Sequence, residues 1–220
     1  MPEVGRTLGG EGRRAWPGSG GSVRSAGMAI TVPQHVPVHP LTVDDYHRMI
    51  EAGVFGEDDR VELLEGVLVE MRPISPEHAR VVARLTVHFA AAMVAGTAIA
   101  RVQSPLTRRD DRSEPEPDLL VVATEPVVGH PETALLAVEV AVTSHAVDRL
   151  QKARVYARAG IPEYWVVDVP GQTIEVRSEP TPDGYVLTRT ARPGDVVEAL
   201  AVPDTPALDV RALFAAPTAR

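Results

Sequence analysis

Two carboxylates interrupt apolar runs that otherwise read as buried strands. Asp118 opens "DLLVVA" after the acidic, proline-broken stretch "RSEPEP", and Glu139 lies inside "LLAVEVAV", 21 residues later. A carboxylate in an apolar strand is costly without a partner, so Glu139 is the stronger signal of the two. Neighbouring strands stand about 4.8 Å apart, and carboxylates on one face of two such strands could share a divalent cation. A hard cation such as Mg²⁺ takes oxygen ligands and keeps waters in its remaining positions. Two carboxylates and a backbone carbonyl would hold it weakly, its bound water could become a nucleophile, and the metal would neutralise charge on a phosphodiester. Chain order leaves the adjacency of the two strands open. Asp118 is also a residue type that initiates turns, with Pro115 and Pro117 holding its approach extended.

Further polar groups stand within reach. Lys152 and Tyr156 are four residues apart in "AVDRLQKARVYARAG", hence on one face of a helix. Lys152 could donate to Glu139, orient a water or stabilise a developing phosphorane, or it is a plain surface lysine. Glu62 sits inside the strand-like "RVELL", where it either serves a site or marks a solvent-facing edge. His78 falls in the first turn of a helix, where it could line a site; His88, ten residues on, does not make a metal pair with it by spacing.

The elements that must position these groups follow from local signals. "PLTVDDYHRMIEAG" predicts a short helix with Thr42 as cap, Asp45 closing a capping box and Gly53 as stop. "RVELLEGVLVEM" predicts two strands around a Glu65-Gly66 turn. "SPEHARVVARLTVHFAAAMVAG" predicts one long helix from Ser75 and Pro76 to Gly96, with Val82, Leu85, Phe89 and Met93 as its buried stripe. Strands are expected over "IARVQSPLTRR", "DLLVVA" and "ALLAVEVAV", the last buried on both faces. After the Lys152 helix, "IPEYWVVDV", "TIEVRSE", "YVLTRT" and "VVEAL" read as strands and "PALDVRALFAA" as a terminal helix or turn. This succession predicts an α/β (α+β) fold, a mixed sheet flanked by helices with an N-terminal helix and β-hairpin. No internal repeat and no glycine-rich phosphate loop is present.

The totals bound the partners. A chain of 220 residues fits one domain with a full core, built from Val, Leu, Ile and Ala because aromatic residues make up only 4%. Residues 1–27, rich in Gly, Ser and Arg, are expected to be a disordered extension, with residues 28–220 as a single domain. Without cysteine, thiolate nucleophiles, thiolate metal sites and disulfides are excluded, which suits a cytoplasmic location. A net charge of -8 opposes long-range attraction to nucleic acid or an anionic membrane, although a local basic rim can still bind phosphates. The longest strongly apolar stretch, residues 89–100, is too short to span a bilayer.

The succession "VQSPLTRRDDRSEPEPDLLVV", "AVEVAVTS" and "DRLQKARVYARAGIPEYWVVD" resembles the large bacterial family known as putative restriction endonucleases, formerly a domain of unknown function, within the PD-(D/E)XK nuclease-like superfamily. The resemblance spans about residues 38–214. It implies a restriction-endonuclease-like fold in which Pro117-Asp118 is the "PD", Glu139 is the acid of the second motif, and both are metal ligands. The superfamily's lysine two residues after that acid would fall at Ala141; by the resemblance Lys152, from the following helix, takes its place. "ELLEG" matches the family's hairpin and makes Glu62 an accessory ligand or water-orienting group. His78 and Gln103 match pocket-lining positions, and Tyr156 joins them. The family often carries a serine-proline pair where this chain has Val142, Thr143, Ser144 and His145, which puts the shape of that loop in doubt.

The implied activity is Mg²⁺-dependent endonucleolytic hydrolysis of phosphodiester bonds, in DNA by preference, with Mn²⁺ as a possible substitute and the carbonyl of Val140 as a further metal ligand. A homodimer would suit cutting on both strands of a duplex. The alternative is a catalytically inactive or repurposed interaction module. It draws on the acidic composition and on arginines 101, 108, 109, 112, 149, 154 and 158 being scattered among acids.

Overall fold

Thr42 and Asp45 close a capping box, each side chain accepting from the other's backbone N–H, and the first helix, α1 (Val43–Glu51), starts where the sequence places its cap. The computed structural model describes residues 38–124, 129–142 and 146–216, with the backbone alone at 146–149. The expected tail, residues 1–27, lies outside them, as do Thr143, Ser144 and His145. Strands β1 (Val61–Leu64) and β2 (Val67–Glu70) form an antiparallel hairpin that turns at Glu65 and Gly66, both with positive φ. Gly66 N–H donates to Arg112 O at 2.8 Å and Glu114 N–H donates to Leu63 O at 2.7 Å, which fastens the hairpin to the loop before Asp118.

Ser75 caps α2 (Pro76–His88) with proline in its first turn, as expected, but the helix does not run on to Gly96. It breaks at Phe89 (φ -81°, ψ 0°) and resumes as α3 (Ala90–Ala95). Within the last turn of α2, Thr86 Oγ1 donates to Val82 O at 2.9 Å, a back-bond that competes with the helix ladder and bends it. The bend rotates the stripe: Val82, Leu85 and Phe89 are buried, whereas Met93 is exposed and Ala92 takes the core position.

A six-stranded sheet runs in the order β3 (Ala98–Val102), β4 (Leu119–Ala123), β5 (Leu136–Ala141), β6 (Glu163–Asp168), β7 (Thr173–Thr181), β8 (Gly184–Ala191). Neighbours are antiparallel except β5 and β6, which are parallel and joined over one face by the crossover helix α4 (Ala146–Arg158). The expected strand over "IARVQSPLTRR" stops at Val102, where Gln103 adopts a left-handed φ of 46° and turns the chain after a last bond to Asp118. At the C-terminal end β9 (Val196–Val197) pairs with β10 (Leu208–Asp209), followed by the short α5 (Val210–Phe214).

Alternation along the strands divides the core. Leu119, Val121, Leu136, Val138, Trp165 and Val167 face α2, α3 and α5. Leu120, Val122, Ala137, Tyr164 and Val166 face α4, where Ala153 and Tyr156 cover them. The result is a mixed sheet with helices on both faces, the restriction-endonuclease-like architecture. By parity Asp118 and Glu139 belong to the α4 face.

Candidate active site

Asp118 immediately precedes β4, and the register Leu119↔Val138 extended by one step sets it opposite Glu139. Its side chain continues where the ladder stops: Asp118 Oδ2 accepts from Val140 N–H at 2.7 Å. On a strand, a residue's N–H and C=O point to the same edge. The Val140 carbonyl is therefore directed to the same side as its N–H, beyond the end of the β4 ladder. His78, in the first turn of α2, lies with Nε2 2.9 Å from Asp118 Oδ1. Its Nδ1 is buried and meets no hydrogen-bond partner among the described residues.

Glu139 is approached from α4. Lys152 Nζ lies 3.0 Å from Glu139 Oε1, and Tyr156 OH donates to the same oxygen at 2.7 Å. Lys152 is buried and stands 2.9 Å from Glu62 Oε1, so one ammonium bridges strand β1 of the hairpin and strand β5 of the sheet. The other Glu62 oxygen, Oε2, accepts from Glu116 N–H at 3.0 Å. Glu62 is thus a buried carboxylate with a partner on each oxygen and not a solvent-facing edge residue.

These groups border one cavity of about 130 Å³. Its lining includes the carboxylates of Glu62, Glu70, Glu116, Asp118 and Glu139, together with His78 and Lys152. Burial, the leading cause, pushes the Glu139 carboxyl up to about 8; Lys152 opposes the rise, while the charges of Asp118 and Glu62 add to it. Burial likewise raises Glu116, against the pull of Arg60. Five carboxylates thus share the cavity with one buried ammonium and the guanidiniums of Arg60 and Arg72.

The structure brings Asp118, Glu139, Val140, Lys152, Glu62, His78 and Gln103 together at this cavity. Gln103 also fastens the base of Asp118, its N–H donating to Asp118 O at 3.2 Å. Tyr156 is corrected: it is fully buried and not among the lining residues, and it acts on Glu139 from behind. The scattered arginines do not converge on the cavity. Arg108 pairs with Asp110, Arg109 with Asp44, and Arg154 and Arg158 with Glu65, Arg158 also with Asp111. The side chain of Arg149 lies outside the described residues. The arginines that do line it, Arg60 and Arg72, and the carboxylate of Glu116 were not singled out from sequence. Arg60 lies two residues before Glu62, the one local signal that could have found it.

Among the described residues no three His, Asp or Glu side chains are gathered into a metal cluster. The donor set that is present fits a hard cation that retains waters: two carboxylates and a carbonyl at the end of a ladder, all oxygen donors. Each carboxylate has lone pairs to spare for a metal beyond its present bonds.

The family model described as "Putative restriction endonuclease", named Uma2, matches residues 43–211. The chain belongs to the Uma2 family. Uma2 proteins lie within the PD-(D/E)XK-like nuclease superfamily, which accords with the mixed sheet and with a nuclease-like role. Among solved structures, a chain described as "a putative nuclease belonging to DUF820 from Anabaena variabilis ATCC 29413" superposes with a TM-score of 0.66 at 15% identity, covering 80% of this chain and 98% of that one. That likeness is one of fold. No curated protein matches the chain.

Proposed function

We propose that this Uma2 protein is a metal-dependent endonuclease that hydrolyses phosphodiester bonds in DNA. The observation that carries the reading is the meeting of Asp118, Glu139 and Lys152 at one cavity on a nuclease fold, from two strand ends and a crossover helix. Mg²⁺, or Mn²⁺ in its stead, would be held by Asp118, Glu139 and the Val140 carbonyl, and when bound it supplies an activated water and neutralises the phosphodiester.

The chain's own residues do the rest. Lys152, held between Glu62 and Glu139 at the cavity wall, would place its positive charge beside the phosphoryl oxygens, where charge develops in the transition state. Glu62 holds that ammonium in place and, through Oε2, ties it to the loop that carries Asp118. His78 and the Val140 N–H fix the plane of the Asp118 carboxylate. Tyr156 restrains Glu139 from the core side. Gln103, bonded at the root of Asp118, lines the wall against which the substrate would rest. The ends produced would be a 5′-phosphate and a 3′-hydroxyl, as the superfamily implies, and a two-fold dimer would serve both strands of a duplex.

The test is a calorimetric titration of Mg²⁺ and Mn²⁺ into the full chain, beside Asp118→Ala and Glu139→Ala, with the same samples assayed on supercoiled, linear and single-stranded DNA. Metal-dependent cleavage by the wild type, lost together with metal binding in both variants, is the expected result. A wild type that binds neither cation at millimolar concentration with DNA present overturns it.

A further inference from the structure

Two arginines line the cavity without any part in the mechanism above. Arg60 precedes β1 and Arg72 follows β2, so the hairpin carries both guanidiniums at its open end, where Met71 N–H donates to Arg60 O at 2.8 Å. Arg60 and Glu62 are two residues apart and share a strand face. Their separation is about 7 Å along the strand, on the scale of the step from one phosphate to the next. Glu62 fixes Lys152, the ammonium assigned to the phosphate that is cut. Arg60 and Lys152 both act on the Glu116 carboxylate, so the two cations line one stretch of the cavity wall.

The present partner of Arg60 holds it weakly. Its Nη2 is 3.3 Å from Glu116 Oε1, and both side chains are partly exposed, a setting in which ion pairs contribute little. A guanidinium fork matches two phosphate oxygens at once and bonds them more strongly than a single long carboxylate contact. Glu116 secures Glu62 with its backbone N–H, so its carboxylate can release Arg60 with that bond left in place. A positive contact is also what the cavity needs, because five lining carboxylates and a net charge of -8 oppose the approach of a polyanion.

We propose that Arg60 and Arg72 form a phosphate clamp for a nucleic-acid backbone, with Arg60 leaving Glu116 to take a phosphate adjacent to the one that is cut. The inference rests on the reading of the site as one for nucleic-acid phosphodiesters. The contact is to the backbone, so it positions the strand without selecting its sequence.

The experiment measures binding of the full chain to a fluorescent duplex and to a single strand of the same length. Ca²⁺ replaces Mg²⁺ to prevent cutting, over a range of salt concentrations; cleavage in Mg²⁺ is followed in parallel. Arg60→Gln and Arg72→Gln should each weaken binding about fivefold near 0.15 M salt and reduce the slope of log affinity against log salt by about 0.9, the loss of one phosphate contact. Arg60→Lys should restore most of the slope. Glu116→Gln, which removes a carboxylate and frees Arg60, should tighten binding several-fold, and adding Arg60→Gln to it should give back most of that gain, which loss of the carboxylate charge alone would not do. Arg189→Gln, an exposed arginine of β8, serves as the unchanged control. Unaltered affinity, slope and KM in Arg60→Gln and Arg72→Gln, in a wild type that cuts DNA, would sink the clamp and leave the nuclease standing. The expected pattern in a wild type that binds but never cuts would keep the clamp and remove the nuclease. A wild type with no affinity for DNA overturns the clamp outright.

Discussion

Lys152 Nζ lies 3.0 Å from Glu139 Oε1, joining the crossover helix to the strand that precedes it. The same ammonium is 2.9 Å from Glu62. Lys152→Met keeps the bulk and removes the charge that both carboxylates share. Breaking a buried pair by deleting one partner costs about 3 kcal/mol. Urea unfolding should register a loss of that order, with cleavage abolished. An unchanged midpoint would mean that the ammonium adds nothing to stability.

The raised carboxyl of Glu139 sets the direction of the pH response. Its ordinary value of 4.5 rises to about 8 in the fold, so between these values the folded chain holds more protons than the unfolded one. Stability in the absence of metal therefore falls as pH rises from about 4.5 to about 8. Glu139→Gln should flatten that dependence in denaturation curves collected across the window. Metal requires the ionised carboxylate. At pH 7, Mg²⁺ binding should release close to one proton, read by calorimetry in two buffers of different ionisation enthalpy.

Tyr156→Phe preserves a fully buried ring and removes only the hydroxyl that donates to Glu139. We expect a stability loss of about 1 kcal/mol, a further rise in the pH at which metal binds, and DNA affinity in Ca²⁺ close to wild type. Loss of DNA affinity equal to the loss of metal affinity would place Tyr156 in substrate contact after all.

The hairpin turn tests how the fold supports the site. At Gly66, with φ +81°, an added Cβ would meet Pro40 Cβ at 2.5 Å and Leu41 O at 3.0 Å. Gly66→Ala should cost about 2 kcal/mol and lower kcat, because the turn positions the strand that carries Glu62. Gly53→Ala, at φ +67° in open space, separates backbone strain from this clash and should leave kcat intact.

Local chemistry was legible where it acts over a few residues. The Thr42 capping box, the Ser75-Pro76 helix start and the Glu65-Gly66 turn each depend on neighbours in the chain, and each stands as read. The break at Phe89 was hidden, since "VHFAAAMVAG" contains no internal breaker and continues a helical period, and a threonine at 86 does not announce its bond back to Val82. Glu139, Lys152 and Tyr156 could be read as a group because strand parity and four-residue helical spacing point them at one another. Glu116 could not: its role arises from a backbone bond to Glu62, 54 positions away, and nothing in "SEPEPD" distinguishes it from its acidic neighbours. The rim arginines escaped for the same reason. Only the folded hairpin shows which cations face the cavity.

Where the superfamily's lysine would stand, β5 carries Ala141, on the same face as Glu139 and open to the same cavity. The one buried ammonium at the cavity, that of Lys152, belongs to α4. What the chemistry requires is a positive charge at one point, and β5 and α4 are two scaffolds that can each reach it. The donor can migrate between them without a change of sheet register, so linear spacing is a poor guide to kinship of mechanism. A search written as acid, any residue, lysine would pass over this chain.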